Sequence, residues 1–194
     1  MKRNNLVIGI VILAAGLIAL GSILFYAITV WQTTPQYFAE NKQALGKRLY
    51  DRVTVYDLDE AYPETPEQVL ELYLDILLLQ YGQIVVHEDV MRNLVSIQRR
   101  LYSDELLVMN PSEDMQYDEL VRTTNKLYEN KVTLTSTQRS SAVYAINDSG
   151  KCVFTVKQAN TGYGFTYWEY YMQKDAQGQW KLLGWDLTSE QTMN

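Results

Sequence analysis

The sequence is poor in the residues on which catalysis and covalent cross-linking usually depend. It holds one cysteine, Cys152, so no disulfide can form within the chain. Cys152 sits in the apolar run Cys152-Val153-Phe154, where a buried, inert thiol is expected. It holds one histidine, His87, just ahead of Glu88-Asp89, a position typical of a helix start. Acid–base work would need a partner within hydrogen-bond reach of His87, and no neighbour in the sequence supplies one. There is no Gly-rich phosphate loop, no nucleophile elbow and no His/Cys/Asp set at metal-ligand spacing. Asp57-Leu58-Asp59-Glu60 is acidic but lacks the twelve-residue calcium-loop pattern. Basic charge is scarce too: Lys and Arg number 17 against 23 Asp and Glu, for a net charge of −6. An acidic surface repels phosphate backbones, so nucleic acid is not an expected partner. The expectation is a non-catalytic protein without cofactor or metal.

What the chain has instead is one long uncharged stretch. Residues 6–31 read LVIGIVILAAGLIALGSILFYAITVW, without a charged side chain. As a helix this run would be about 39 Å long, against roughly 30 Å for the hydrocarbon core of a bilayer. It is too long for the apolar region of a signal peptide, and no A-x-A cleavage pattern follows it. Lys2 and Arg3 precede it and the ten residues after Trp31 carry no Lys or Arg, which places the N-terminus inside. Tyr26, Trp31 and Tyr37 suit the outer membrane–water interface. The sequence therefore predicts a single-pass protein of the cell membrane: a cytoplasmic tail (1–5), a transmembrane helix (6–31), a juxtamembrane stalk (32–62) partly ordered against the domain, and an extracytoplasmic domain (63–194).

The domain divides by periodicity. Thr65-Pro66-Glu67-Gln68 reads as an N-cap, a proline at the first helical position and a capping-box partner. Val69, Leu72, Tyr73, Ile76, Leu77 and Gln80 continue that helix, and Leu70, Leu74, Leu78 and Tyr81 add a second stripe, so it should be packed on more than one side. Gly82 is its expected stop. Val90, Leu94, Ile97 and Leu101 give a single stripe for a second helix. A shorter piece bears Leu106, Leu107 and Met109. Ser112 caps a third helix, for which Asn130 is the expected left-handed stop. From Lys131 the period becomes two. Polar turn clusters at 147–150, 160–162 and 175–178 separate runs rich in β-branched and aromatic residues, the signature of an antiparallel meander of four or five strands. The fold class is α+β.

The closing run, from Tyr167-Trp168-Glu169-Tyr170-Tyr171-Met172 through Asp175-Ala176-Gln177-Gly178 to Trp180-Lys181-Leu182-Leu183-Gly184-Trp185, resembles the last two strands of the NTF2-like (cystatin-like, SnoaL-like) superfamily. With the opening Tyr62-Pro63-Glu64-Thr65-Pro66 it is similar to a bacterial family of membrane-anchored NTF2-like domains without an assigned activity. The resemblance implies a cone of about three helices packed on a curved sheet, in which enzymes such as ketosteroid isomerase and scytalone dehydratase relatives place Asp, His or Tyr. Here Glu169 is the one acid mid-strand among aromatics, and an outward position flanked by Lys174 or Lys181 is its ordinary reading. Pocket candidates are Tyr73, Phe154, Tyr167, Trp168, Tyr170 and Trp180. Three functions fit: a module binding a small apolar ligand or peptide, a bitopic assembly component of a secretion- or conjugation-type envelope complex, or an isomerase- or dehydratase-type enzyme. A homodimer through the open sheet face is a further expectation.

Overall fold

The structure is a computed structural model, and it describes residues 39–55, 57–84, 87–162 and 164–189. The expected tail and transmembrane helix, residues 1–31, lie outside the described residues. Among the described residues no helix is long and apolar enough to cross a membrane.

Among the described residues five helices precede five strands, so the α+β class stands. The helices are α1 (Ala39–Val55), α2 (Pro66–Tyr81), α3 (Glu88–Arg100), α4 (Asp104–Met109) and α5 (Glu113–Glu129). The strands are β1 (Leu134–Arg139), β2 (Val143–Ala145), β3 (Asp148–Asn160), β4 (Gly164–Lys174) and β5 (Trp180–Thr188). The sheet is antiparallel in the order β1-β3-β4-β5, and β2 pairs with the first half of β3.

Helix α2 is the centre of the packing. Its start is fixed by the expected capping box: Thr65 Oγ1 accepts from the Gln68 amide at 3.3 Å, and Gln68 Oε1 accepts from the Thr65 amide at 3.2 Å. It buries residues around most of its circumference, including Val69, Leu70, Tyr73, Ile76, Leu79 and Gln80. A helix with so little polar perimeter must be covered on several sides. Helix α1 covers one of them and adds Leu49 and Val53 to the core. Gly46 of α1 lies where a Cβ would run into the Ile84 side chain, so only glycine lets the two segments approach.

One face of the sheet meets α2. Directly opposed residues share a face, so Cys152, Phe154 and Val156 stand beside Met172, Tyr170 and Trp168, and all six are buried. Beyond β4, Leu182 and Trp185 continue the same row, across a bulge at the Tyr171/Met172 step. The outer free edge of β5 is covered: the Ser103 amide donates to the Leu182 carbonyl and the Leu182 amide to the Leu101 carbonyl, both at 2.8 Å. That cover spares the sheet one exposed row of backbone groups.

Two boundaries differ from expectation. Asn130 ends α5 in a right-handed conformation (φ −86°), and the left-handed residue is Lys131 (φ 55°). Gly82 stops α2 as expected, as its C-cap in a right-handed conformation (φ −76°), and Gln83 (φ 54°) makes the reversal. In both places the left-handed residue is the one after the C-cap. Strand β3 begins at Asp148 rather than after Gly150, because Asn147 (φ 65°) completes a tight turn and Asp148 already pairs with Ala145.

Candidate functional site

Between α2, α3, α4, α5 and the end of β5 lies an open cavity of about 350 Å³. Its apolar wall consists of Leu77, Leu106, Met109, Met115 and Leu120. Met115 is 64 % exposed and marks the mouth. Glu119 and Arg122, an ion pair one helical turn apart on α5, also border it.

The polar part of the lining is a connected chain of neutral groups, tied at its outer end to the Arg99 guanidinium. Gln80 Nε2 donates to Gln98 Oε1 at 3.1 Å, and Gln116 Nε2 donates to the same oxygen at 3.2 Å. Gln116 Nε2 also donates to the Tyr102 hydroxyl at 3.4 Å. Gln116 Oε1 accepts from Asn110 Nδ2 at 2.9 Å and from the Arg99 guanidinium at 3.1 Å, and Arg99 also donates to the Asn110 carbonyl at 2.8 Å. The Tyr73 and Tyr102 rings lie beside one another, with centroids 6.2 Å apart. Residues from α2, α3, α5 and the α3–α4 connection thus converge on one hollow.

The phenols in and beneath this chain remain protonated. Burial pushes Tyr73, Tyr102 and Tyr170 well above the ordinary tyrosine range, and the neighbouring phenols push Tyr73 and Tyr170 further the same way. Tyr81 is pushed up to about 12 by burial alone. The arrangement can hold a polar group by hydrogen bonds.

Of the six residues proposed from sequence, Tyr73 lines this cavity. Phe154, Trp168 and Tyr170 are buried in the packed layer between α2 and the sheet. There Tyr73, Tyr170 and Trp185 meet with ring centroids 5.7 to 6.1 Å apart. Trp180 is buried at the opposite end of the inner face, edge-on to Tyr144. Tyr167 lies on the sheet's other face, beside Lys157 and Phe165. Glu169 is on that outer face as well, where its carboxylate accepts from the Tyr171 hydroxyl at 2.7 Å. Its partner is therefore a phenol, where a lysine had been expected. His87 stands at the N-cap of α3 without a side-chain capping bond. Burial pushes the Cys152 thiol up to about 12, the state of an inert cysteine. Among the described residues no group of three or more metal-ligating side chains comes together.

The residues that sequence reasoning passed over are Gln98, Tyr102 and Gln116. The first carried a signal: Gln98 falls four residues after Leu94, on the buried stripe of α3, where an apolar residue would be ordinary.

A second, smaller cleft of about 270 Å³ separates α1, α2 and β1. Two ion pairs cross it, Arg52–Asp75 at 2.7 Å and Arg139–Glu71 at 2.5 Å. The Asp75 carboxyl is pushed up to about 6 by burial, against the opposing pull of Arg52.

Residues 1–185 match the family model described as Domain of unknown function (DUF6715). The chain belongs to this family. No curated protein and no solved structure matches the chain. The match to DUF6715 extends over the apolar N-terminal run, the helices and nearly all of the sheet.

Proposed function

We propose that this DUF6715 chain is a single-pass membrane protein whose extracytoplasmic, NTF2-like domain binds a small, largely apolar molecule without transforming it. The uncharged run of residues 6–31 and its basic N-terminal flank support the anchor and its orientation. The helix-then-meander order and the closing aromatic hairpin support the NTF2-like kinship. The observation that carries the binding reading is the cavity: several hundred cubic ångströms, mostly apolar walls, and a few convergent polar groups, which is the usual make-up of a ligand site. The groups that converge at its inner end are amides and phenols, which favours binding over isomerase- or dehydratase-type chemistry.

The binding reading is tested by extracting the protein, purified from its own membranes, with organic solvent and identifying what is released by mass spectrometry. The expected result is a neutral small molecule in near-stoichiometric amount, missing from Met115→Trp, which plugs the mouth. Repeated extraction of nothing but bulk lipid would contradict it. Topology is tested with a membrane-impermeant maleimide at Glu113→Cys. Cys152 is buried and gives little background. Labelling in intact cells supports the outward orientation, and protection reverses it.

A role as an assembly component of an envelope complex is the second reading. The filled layer between α2 and the sheet supports it, since that part of the fold holds side chains and no ligand space. Proximity crosslinking in cells, followed by partner identification, separates the two.

A further inference from the structure

The geometry points to the chemical class of molecule that the cavity between α2 and α5 selects: an uncharged molecule whose inner end carries a hydrogen-bond acceptor, such as a ketone, ester or ether oxygen, on an apolar body. This rests on the binding reading above and goes beyond it by fixing the ligand's polarity.

Arg99 settles the direction of the whole network. A guanidinium is only ever a donor, so the Gln116 atom facing it must be the carbonyl oxygen. The Gln116 amide nitrogen then points inward, and its two protons go to Gln98 Oε1 and the Tyr102 hydroxyl. Gln98 must therefore present its oxygen to Gln116, and Gln80 fills that oxygen's second lone pair with its own amide nitrogen. Either amide turned over would set two donors, or two acceptors, against each other.

The consequence is an imbalance inside the hollow. Gln98 Oε1 and Gln116 Oε1 each already accept two hydrogen bonds. The Tyr102 oxygen accepts from Gln116. What remains for a ligand is mostly donor capacity, with Gln80 Oε1 the one lining side-chain amide oxygen of the glutamines that holds no hydrogen bond among the described residues. The two protons of Gln98 Nε2 have no acceptor among the described residues, and neither has the Tyr81 hydroxyl, which lines the same cavity. No buried side-chain nitrogen or oxygen among the described residues is orphaned, so these donors reach the open space of the hollow. A guest with an oxygen acceptor completes them, and a guest offering only donors finds the oxygens of Gln98 and Gln116 taken and Gln80 Oε1 alone to meet it.

Size and charge narrow the class. A cavity of roughly 150 Å³ holds benzene, so one of about 350 Å³ has room for a bicyclic or similarly compact molecule. A charged guest would be stripped of water against Leu77, Leu106 and Leu120 with no buried counter-ion at the inner end.

The test is isothermal titration of the full chain in lipid nanodiscs, blanked against empty nanodiscs. Four probes are used: 1-tetralone (ketone), naphthalene (no acceptor), 1-naphthoate (anion) and benzyltrimethylammonium (cation). Tyr81→Phe and Gln98→Glu each remove donors with little change of shape. Both should weaken 1-tetralone about five- to tenfold, the worth of one hydrogen bond, while naphthalene stays within about twofold. If Gln98→Glu misfolds, Tyr81→Phe alone carries the comparison. If both neutral probes bind and neither variant distinguishes them, the donor assignment is overturned and the cavity remains a binding site. Tighter binding of either ion than of 1-tetralone overturns the uncharged assignment. If no probe binds, the binding reading falls together with this inference.

Discussion

Towards the sheet, α2 sets Tyr73 against Tyr170 and Trp185 at centroid distances of 5.7 and 5.8 Å, over fully buried Phe154 and Val156. At its C-terminal end the same helix turns Gln80 and Tyr81 to a hollow of about 350 Å³, bounded by the amides of Gln98 and Gln116. The first region is solved by volume, with large rings interleaved so that no space is left. The second is solved by direction, with donors and acceptors matched around space that is kept. One helix supports both because its apolar perimeter is nearly continuous and is broken at Gln80. The difference teaches where a ligand can act on this fold: the layer that the NTF2-like resemblance marked as a cone is occupied by the protein's own aromatic side chains, and the open volume lies to one side, among the helices.

The contrast can be broken most forcefully from the packed side. Phe154→Ala should lower unfolding stability by about 3–5 kcal/mol in urea titration, because the surrounding rings cannot collapse into the void. A loss under about 1 kcal/mol would mean that this layer is not tightly packed. On the other side, Gln116→Leu should lower stability by about 1–3 kcal/mol, since Gln98 Oε1, Asn110 Nδ2 and Arg99 each lose a partner. A neutral result there would show that water replaces the amide and that the network is not a preorganised lining.

The smallest expected effect concerns the cleft beside α1. The native Asp75 carboxyl, at about 6, lies above its ordinary value of 3.8. The folded state therefore binds that proton more tightly than the unfolded state does. Its contribution to stability is present below about pH 4 and is lost as pH rises to about 6 and beyond. Asp75→Asn should remove this slope. From pH 4 to pH 7 the variant should gain about 1–2 kcal/mol relative to the parent, a figure set below the full linkage value because water reaches part of the cleft. A parallel pH profile in parent and variant would sink the assignment.

Much of the fold was legible in the chain. The Thr65–Gln68 capping box, the switch to period two after Lys131 and the Asp175–Gly178 turn each act through neighbours a few residues away. Such local signals survive without knowledge of the tertiary structure. The parity of β4 was legible as well: Trp168, Tyr170 and Met172 do share the buried face. The cavity was not. Its polar lining unites Gln80, Gln98, Tyr102 and Gln116 from four separate segments, and no spacing rule links them. The aromatic residues that drew attention as pocket candidates are conspicuous because they bury large areas, which is also why most of them fill space. The polar break in an apolar stripe, at Gln98, was the more telling sign.

Methionine placement offers the most direct comparison of the two regions. Met109 and Met115 line the hollow, and Met172 is 1 % exposed in the packed layer. With ¹³C-methyl-labelled methionine in the full chain, addition of 1-tetralone should shift the Met109 and Met115 methyl resonances in a saturable manner and leave Met172 in place. A saturable shift at Met172 without one at Met109 and Met115, or no shift at any of the three, would contradict the claim that the open space among the helices is where this protein binds.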